Sequence, residues 1–331
     1  MKILVTGGAG YIGSHTVALL KKRGDFVVVL DSMEFGHKEA IGDTPLVIGN
    51  VSDRELVKKT IAQHGIEAVI HFAAYKAAGE SMDNPAKYFE NNFVGSLRLI
   101  EACHEAGIRK FVFSSTAAVY GTPEKLPVGE GAALHPENPY GESKLLVERA
   151  LHWFSERLGF KYVALRYFNA AGAALDGENG EDPRYVNNLI PLVMKVASGR
   201  APQLKIFGND YPTTDGTCVR DYIHVLDLAS AHAAALDYLS KGGTDYAPSN
   251  IFNLGTGNGA SIVEVVKLAR EITGKEIPAE IVARRAGDPA AVWADNAKAV
   301  STLGWKPQYG IKEIIESAWK WAEKHPDGFG A

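Results

Sequence analysis

Tyr140 and Lys144 stand four residues apart in "NPYGESKLLVER" (138–149). On a helix, that spacing places both side chains on one face, a turn apart. A phenol ionises near pH 10 and is a poor base at neutrality; bringing it to ~7 takes ~4 kcal/mol of preferential phenolate stabilisation. One positive charge ~4 Å away supplies ~4 kcal/mol at an effective dielectric of ~20. Lys144 therefore reads as an electrostatic tuner and Tyr140 as a general base toward an alcohol hydroxyl. Thr116, in "SSTAAVYG" (114–121), leaves the end of a predicted strand and can hold that hydroxyl in line. A bare Y-x-x-x-K pair is common by chance, so its meaning depends on where the fold puts it.

The positioning elements are legible as alternating runs. Apolar, β-branched stretches at 2–6, 26–31, 45–49, 68–73, 110–115 and 162–168 are almost unbroken by polar residues, as in strands buried on both faces. Helical stretches lie between them at 12–23, 53–64 (N-capped by Ser52 or Asp53), 85–106 and 140–158. The expected class is α/β: a Rossmann-type doubly wound parallel sheet over residues 1–170, with a smaller mixed α/β substrate-binding domain over 171–331, some segments of which cross back. "NAAGAALDGENGEDPRY" (169–185) reads as a long functional loop. Beyond it, the pattern predicts helices at 187–199, 225–240, 261–273, 296–303 and 311–324, and strands near 203–207, 219–224 and 250–254.

"LVTGGAGYIGSH" follows the first strand and opens the first helix. Gly7, Gly10 and Gly13 there let backbone approach a pyrophosphate beside a helix N-terminus. Asp31 ends the second strand, where a carboxylate accepts from adenosine ribose hydroxyls and repels a 2′-phosphate. The following Ser32 and Met33 are not arginines, so the cofactor read here is NAD rather than NADP. The glycines of "NLGTGNG" (253–259) have no acidic partner of their own and read as a loop. With NAD beside it, Tyr140 sits at the carboxyl edge of the sheet, where the positive nicotinamide ring adds to the field of Lys144.

Bulk properties narrow the classes. The 331 residues carry a net charge of −4, which offers no electrostatic case for nucleic acid or an anionic membrane. No apolar run approaches the ~20 residues of a membrane span. The N-terminal apolar run is too short for a signal peptide core. Cys103 and Cys218, far apart, suggest no disulfide framework and hence the cytoplasm. The ten histidines show no metal-binding spacing, so no metal site is expected.

Gly7/Gly10/Gly13, Asp31, Thr116, Tyr140 and Lys144 together resemble the extended short-chain dehydrogenase/reductase superfamily. Almost from end to end the chain is similar to its UDP-glucose 4-epimerase family. The carrying segments include "VTGGAGYIGSHT", "FSSTAAVYG", "PYGESKLLVE", "LRYFNAAGA", "NLGTGNGASIVEVV", "LGWKP" and, most specifically, "FGNDYPTTDGTCVRDYIHV". The resemblance implies NAD-dependent interconversion of UDP-glucose and UDP-galactose through a 4-keto sugar. It implies NAD contacts at Tyr11 and Ile12, at Asn50 and Val51 near adenine, at Phe72, Ala73, Lys76 and Asn91, and at Thr116, Tyr140, Lys144 and Phe168. Asn50 departs from the aspartate usual in the family; its amide still accepts a hydrogen bond. Around the UDP-hexose substrate the resemblance places Asn169, Asn188, Leu189, Phe207, Arg220, Arg285 and Asp288, with Thr116 and Tyr140 at the sugar. Val292 stands where members restricted to unmodified hexoses often carry tyrosine, so turnover of UDP-N-acetylglucosamine is also expected.

Two other readings compete. A nucleotide-sugar 4,6-dehydratase or decarboxylase shares the fold, but dehydratases usually carry Asp-Glu directly after the Thr116 position, and here stand Ala117 and Ala118. A non-catalytic NAD-sensing protein tends to lose the tyrosine or lysine. The resemblance further implies a homodimer through helices 85–106 and 140–158; apolar Val94, Leu97, Leu99 and Ile100 suit either a partner or the chain's own sheet.

Overall fold

The apolar runs of the first half become parallel strands, largely hidden on both faces except for the edge run at 46–48. In the computed structural model, which describes residues 1–243, 250–285 and 288–330, these are β1 (Lys2–Thr6), β2 (Phe26–Asp31), β3 (Leu46–Ile48), β4 (Ala68–His71), β5 (Lys110–Ser114) and β6 (Lys161–Tyr167). A seventh strand, β7 (Ile251–Leu254), joins the same sheet, in the order β7-β6-β5-β4-β1-β2-β3. Every pairing is parallel. The strand order reverses between β1 and β4, and a crevice opens at their carboxyl ends.

Helices cover both faces. Tyr11–Lys22 and Val225–Ser240 pack on one, burying Val17, Leu20, Leu228 and Leu236 against β1, β2 and β6. Arg54–His64, Gly95–Glu105 and Pro139–Leu158 pack on the other, burying Val57, Leu99, Ile100 and Leu151. Asp53 starts the first of these by accepting from the Leu56 N–H at 3.0 Å. A separate apolar core binds helices Leu189–Ala197, Ile262–Thr273 and Ile311–Lys324 into the second lobe.

The structure refines four sequence expectations. The strand near 250–254, counted with the lobe, is β7 of the main sheet, because helix Val225–Ser240 carries the chain back across it. The helix expected over 85–106 runs from Pro85 to Glu105, with a π-helical turn at Phe89–Val94. The Asn92 side chain in that turn bonds both the N–H (2.9 Å) and the C=O (3.0 Å) of Tyr75, a long-range contact that widens the helix locally. The strand expected at 219–224 splits into Val219–Arg220 and Tyr222–His224, since Asp221 between them turns its carboxylate inward. The helix at 296–303 closes on a π-turn, Ala299–Leu303.

Among the described residues no helix is long and apolar enough to cross a membrane. Both cysteines are buried free thiols. Leu99 and Ile100 face the chain's own sheet, whereas Val94 and Leu97 stay half-exposed.

Candidate active site

The glycine turn is built by contact rather than flexibility alone. A Cβ on Gly13 would stand 2.2 Å from the Gly7 carbonyl oxygen, and one on Gly7, whose φ is +70°, 2.5 Å from the Ala73 nitrogen. Helix Tyr11–Lys22 starts on Gly10 with no side-chain cap, so its first-turn N–H groups are left to an anion. Asp31 fixes the same turn: its oxygens accept from Ala9 N–H at 3.0 Å and Met33 N–H at 2.9 Å. Each oxygen keeps a lone pair for a further donor.

These residues line a cavity of about 570 Å³, within the usual range for ligand sites. Gly7, Gly10, Tyr11, Ile12, Gly13 and Asp31 form one wall, and Asn50 and Val51 flank Asp31. Phe72, Ala73, Lys76 and Asn91 continue along it to Tyr140 and Lys144. Fourteen of the sixteen residues expected around the cofactor thus share one surface; Thr116 and Phe168 lie just outside it. The Asn50 carbonyl oxygen accepts from the Ser52 N–H at 2.9 Å and keeps a second lone pair for an adenine donor. The glycine cradle, the uncapped helix and the carboxylate at the end of β2 fit a dinucleotide.

Helix Pro139–Leu158 begins on Asn138, whose side chain accepts from Gly141 N–H at 2.8 Å, with Pro139 in the first turn. This sets Tyr140 at the cavity edge, where its backbone N–H donates to Ser81 Oγ at 3.2 Å. Burial lifts the Tyr140 phenol above its ordinary value, and a hydrogen bond from Thr116 opposes the rise. Lys144 does not point its ammonium at the phenol. It donates to the Ser114 carbonyl at 3.0 Å, over the ring of Phe113. Burial drives it down to about 7, with Glu148 pulling the other way. The phenol of this chain alone is therefore pushed up, contrary to the tuning expected from spacing, because burial removes hydration that Lys144 does not replace.

The segment expected as a loop over 169–185 starts as a strand, Asn169–Ala171, and then roofs the cavity. Tyr11 Oη donates to the Gly172 carbonyl at 2.6 Å. Lys76 pairs with Glu181, and His37 meets Asp182 at 2.7 Å. The sequence reading missed Tyr167, which lines the cavity with its hydroxyl 2.8 Å from Ser114 Oγ.

The residues expected around the nucleotide sugar gather in the lobe. The Arg285 guanidinium lies 4.2 Å over the ring of Phe207. Arg220 approaches Asp288 at 3.6 Å and donates to the Pro289 carbonyl at 2.7 Å. Asn188 caps helix Leu189–Ala197 by backbone only, leaving its amide uncommitted to the helix. Asn169 Nδ2 donates to the Asp221 carbonyl at 3.3 Å. Val292 pairs in register with Arg220 and packs with Val119, Tyr120, Leu145 and Phe168.

The "NLGTGNG" loop wraps a carboxylate. Asp221 accepts from Thr256 N–H (2.8 Å), Thr256 Oγ1 (2.7 Å), Gly257 N–H (3.2 Å) and Ala294 N–H (3.1 Å). Asp221→Ala strands these donors at a cost of about 1–3 kcal/mol for each that stays buried. A clear fall in the urea midpoint is expected; an unchanged midpoint would refute this role.

The profile of the NAD dependent epimerase/dehydratase family matches residues 3–255. The chain belongs to that family. Within it, the UDP-glucose 4-epimerase of Halalkalibacterium halodurans is 48% identical over 99% of this chain and 98% of its own. The crystal structure of UDP-glucose 4-epimerase from Brucella ovis in complex with NAD is 45% identical and superposes with a TM-score of 0.93, covering 96% of this chain and 97% of that one. The enzyme from Bifidobacterium longum, solved with NAD+ and UDP, is 39% identical with a TM-score of 0.92, over 99% of this chain and 100% of that one. In this family member the residues after Thr116 form the short helix Ala117–Tyr120, whose first two side chains are alanines unable to transfer protons.

Proposed function

We propose that the chain is an NAD-dependent isomerase that interconverts UDP-glucose and UDP-galactose through a 4-keto sugar. The observation that carries this reading is Tyr140 on the wall of the dinucleotide cavity with Thr116 against it, followed directly by Ala117 and Ala118 rather than by carboxylates. The glycine turn, Asp31 and Lys76 would hold the dinucleotide. Bound NAD supplies a hydride acceptor, a hydride donor once reduced, and a positive ring. Tyr140 takes the proton of the sugar C4 hydroxyl while Thr116 keeps that hydroxyl in line. It returns the proton to the new hydroxyl after the ketone presents its other face. Lys144, held at the Ser114 carbonyl, does not offset burial by itself; together with the positive ring of bound NAD it would favour phenolate. Arg220 and Arg285 anchor the diphosphate by charge-assisted bonds, which leaves the hexose free to turn.

Purified protein supplied with UDP-galactose alone, without added NAD, should form UDP-glucose. A stable keto product would favour the dehydratase reading, and absence of turnover the sensor.

Val292, beside Phe168 and Arg220, leaves room for a larger sugar substituent. UDP-N-acetylglucosamine should therefore be epimerised as well, and Val292→Tyr should lower its turnover relative to UDP-glucose roughly tenfold. Undetectable N-acetyl turnover by the unmodified enzyme would sink this. For assembly, we infer a homodimer through helices Gly95–Glu105 and Pro139–Leu158, supported by exposed Trp153 and Leu158 on the second. The buried free thiols suit a reducing compartment, the cytoplasm.

A further inference from the structure

One face of helix Pro139–Leu158 grips three consecutive residues at the end of β5. Tyr140 lies against Thr116, Lys144 Nζ donates to the Ser114 carbonyl, and Glu148 Oε1 accepts from Ser115 Oγ at 2.5 Å. The spacing i, i+4, i+8 makes this a single stripe. Glu148 also receives Arg166 in two bonds, Nε to Oε1 at 3.0 Å and Nη2 to Oε2 at 2.5 Å. The pair is almost wholly hidden, Arg166 at 1% and Glu148 at 4% exposure. Arg166 Nη1 donates to Tyr120 Oη at 2.9 Å, and Tyr120 Oη donates to Asn253 Oδ1 at 2.7 Å. The network thus spans β5, the short helix after Thr116, β6 and β7.

A pair buried this deeply is weak as a source of stability, because desolvating two ions consumes most of their attraction. Its geometry suggests another use. We propose that Glu148, held by Arg166, is a positioning residue for the reaction: it fixes the Ser115–Thr116 strand end against Tyr140 and sets its carboxylate one helical turn from Lys144. The groups facing this point from each element are few. Tyr140 and Glu148 lie on the same helix, Tyr88 comes from the helical turn opened by Pro85, His71 from β4, Tyr120 from the short helix after Thr116, and Tyr162, Tyr167 and Arg166 from β6. His71 is held down to about 3 by burial and by Lys144, so it stays neutral. Burial pushes the Tyr167 phenol up, so it stays neutral too. Glu148 is the anion of the group.

The inference rests on Tyr140 acting as the base, so the test carries a readout that needs no turnover. The pH of Tyr140 ionisation is taken on NAD-loaded protein, where the positive ring opposes burial of the phenol, from the phenolate absorbance difference between each protein and the same protein carrying Tyr140→Phe. Two variants are compared with the unmodified enzyme: Glu148→Gln, and the apolar pair Glu148→Met with Arg166→Met. The double variant removes both charges and keeps the interior filled, so it decides the matter where the single variant does not fold. With Glu148 neutral, the field opposing burial is lost and Lys144 gives up its proton at lower pH. Tyr140 ionisation should then move up, and the alkaline limb of kcat down, by about one unit. At the optimum, kcat should fall roughly 100-fold with little change in KM. A folded variant with an unmoved phenol titration and an unmoved alkaline limb overturns the proposal, including one whose kcat falls evenly at every pH. Failure of the epimerase reading itself would appear separately, as absence of turnover in the unmodified enzyme.

Discussion

Tyr140→Phe is expected to slow interconversion of UDP-glucose and UDP-galactose by roughly 10²- to 10⁴-fold in kcat, the span attributed to a positioned acid–base group. The phenyl ring fills the same space, so packing against the helix start is kept. What goes is the hydroxyl that Thr116 holds. Proton removal from an unactivated alcohol then has no acceptor, since Ala117 and Ala118 follow Thr116 and Lys144 is turned to the Ser114 carbonyl. KM should change little, because the arginines proposed for the diphosphate lie on other elements, Arg220 beside Asp288 and Arg285 over Phe207. Cofactor content should also hold, since the glycine turn is untouched. Steady-state rates in both directions, with cofactor counted by absorbance after denaturation, provide the check. Full-speed turnover would remove Tyr140 from the chemistry.

Gly13→Ala should give a folded protein that emerges without its dinucleotide. The added Cβ would meet the Gly7 carbonyl oxygen at 2.2 Å and Gly8 Cα at 2.8 Å, both backbone atoms that cannot swing aside. Relief requires the helix start to move off the turn by a substantial fraction of an ångström. The first-turn N–H groups then no longer converge on one anion, and a misplacement of ~1 Å is enough for roughly a 10²-fold loss. The sheet should survive, since its two apolar faces are built by β1–β7 and five helices well beyond this contact. NAD binding by titration calorimetry should weaken about 100-fold, with far-ultraviolet circular dichroism unchanged. Retention of a full complement of NAD would show that the turn tolerates a methyl group and that the close approach carries no function.

Local chemistry alone reached far into this protein. The glycine turn, Asp31 at the end of β2, the six β-branched strands and the Tyr140/Lys144 spacing are all short-range patterns. They report periodicity and turn geometry within a few residues, and the structure forms the strands and the glycine turn and sets Asp31 and Tyr140 on one cavity, while Lys144 turns to the Ser114 carbonyl. Tertiary structure decided which distant groups meet. β7 enters the main sheet because a helix returns there, not because "NIFNL" differs from a lobe strand. The π-turn at Phe89–Val94 answers the backbone of Tyr75, which no helical propensity encodes. Asp221 binds a loop more than thirty residues away, so its sequence context shows only an ordinary aspartate. Lys144 turns to Ser114, and Glu148 to Arg166, because burial leaves charges no water and each must take the nearest fixed dipole or counter-ion. That choice depends on which strand ends converge, and convergence is a property of the folded chain rather than of any window of residues.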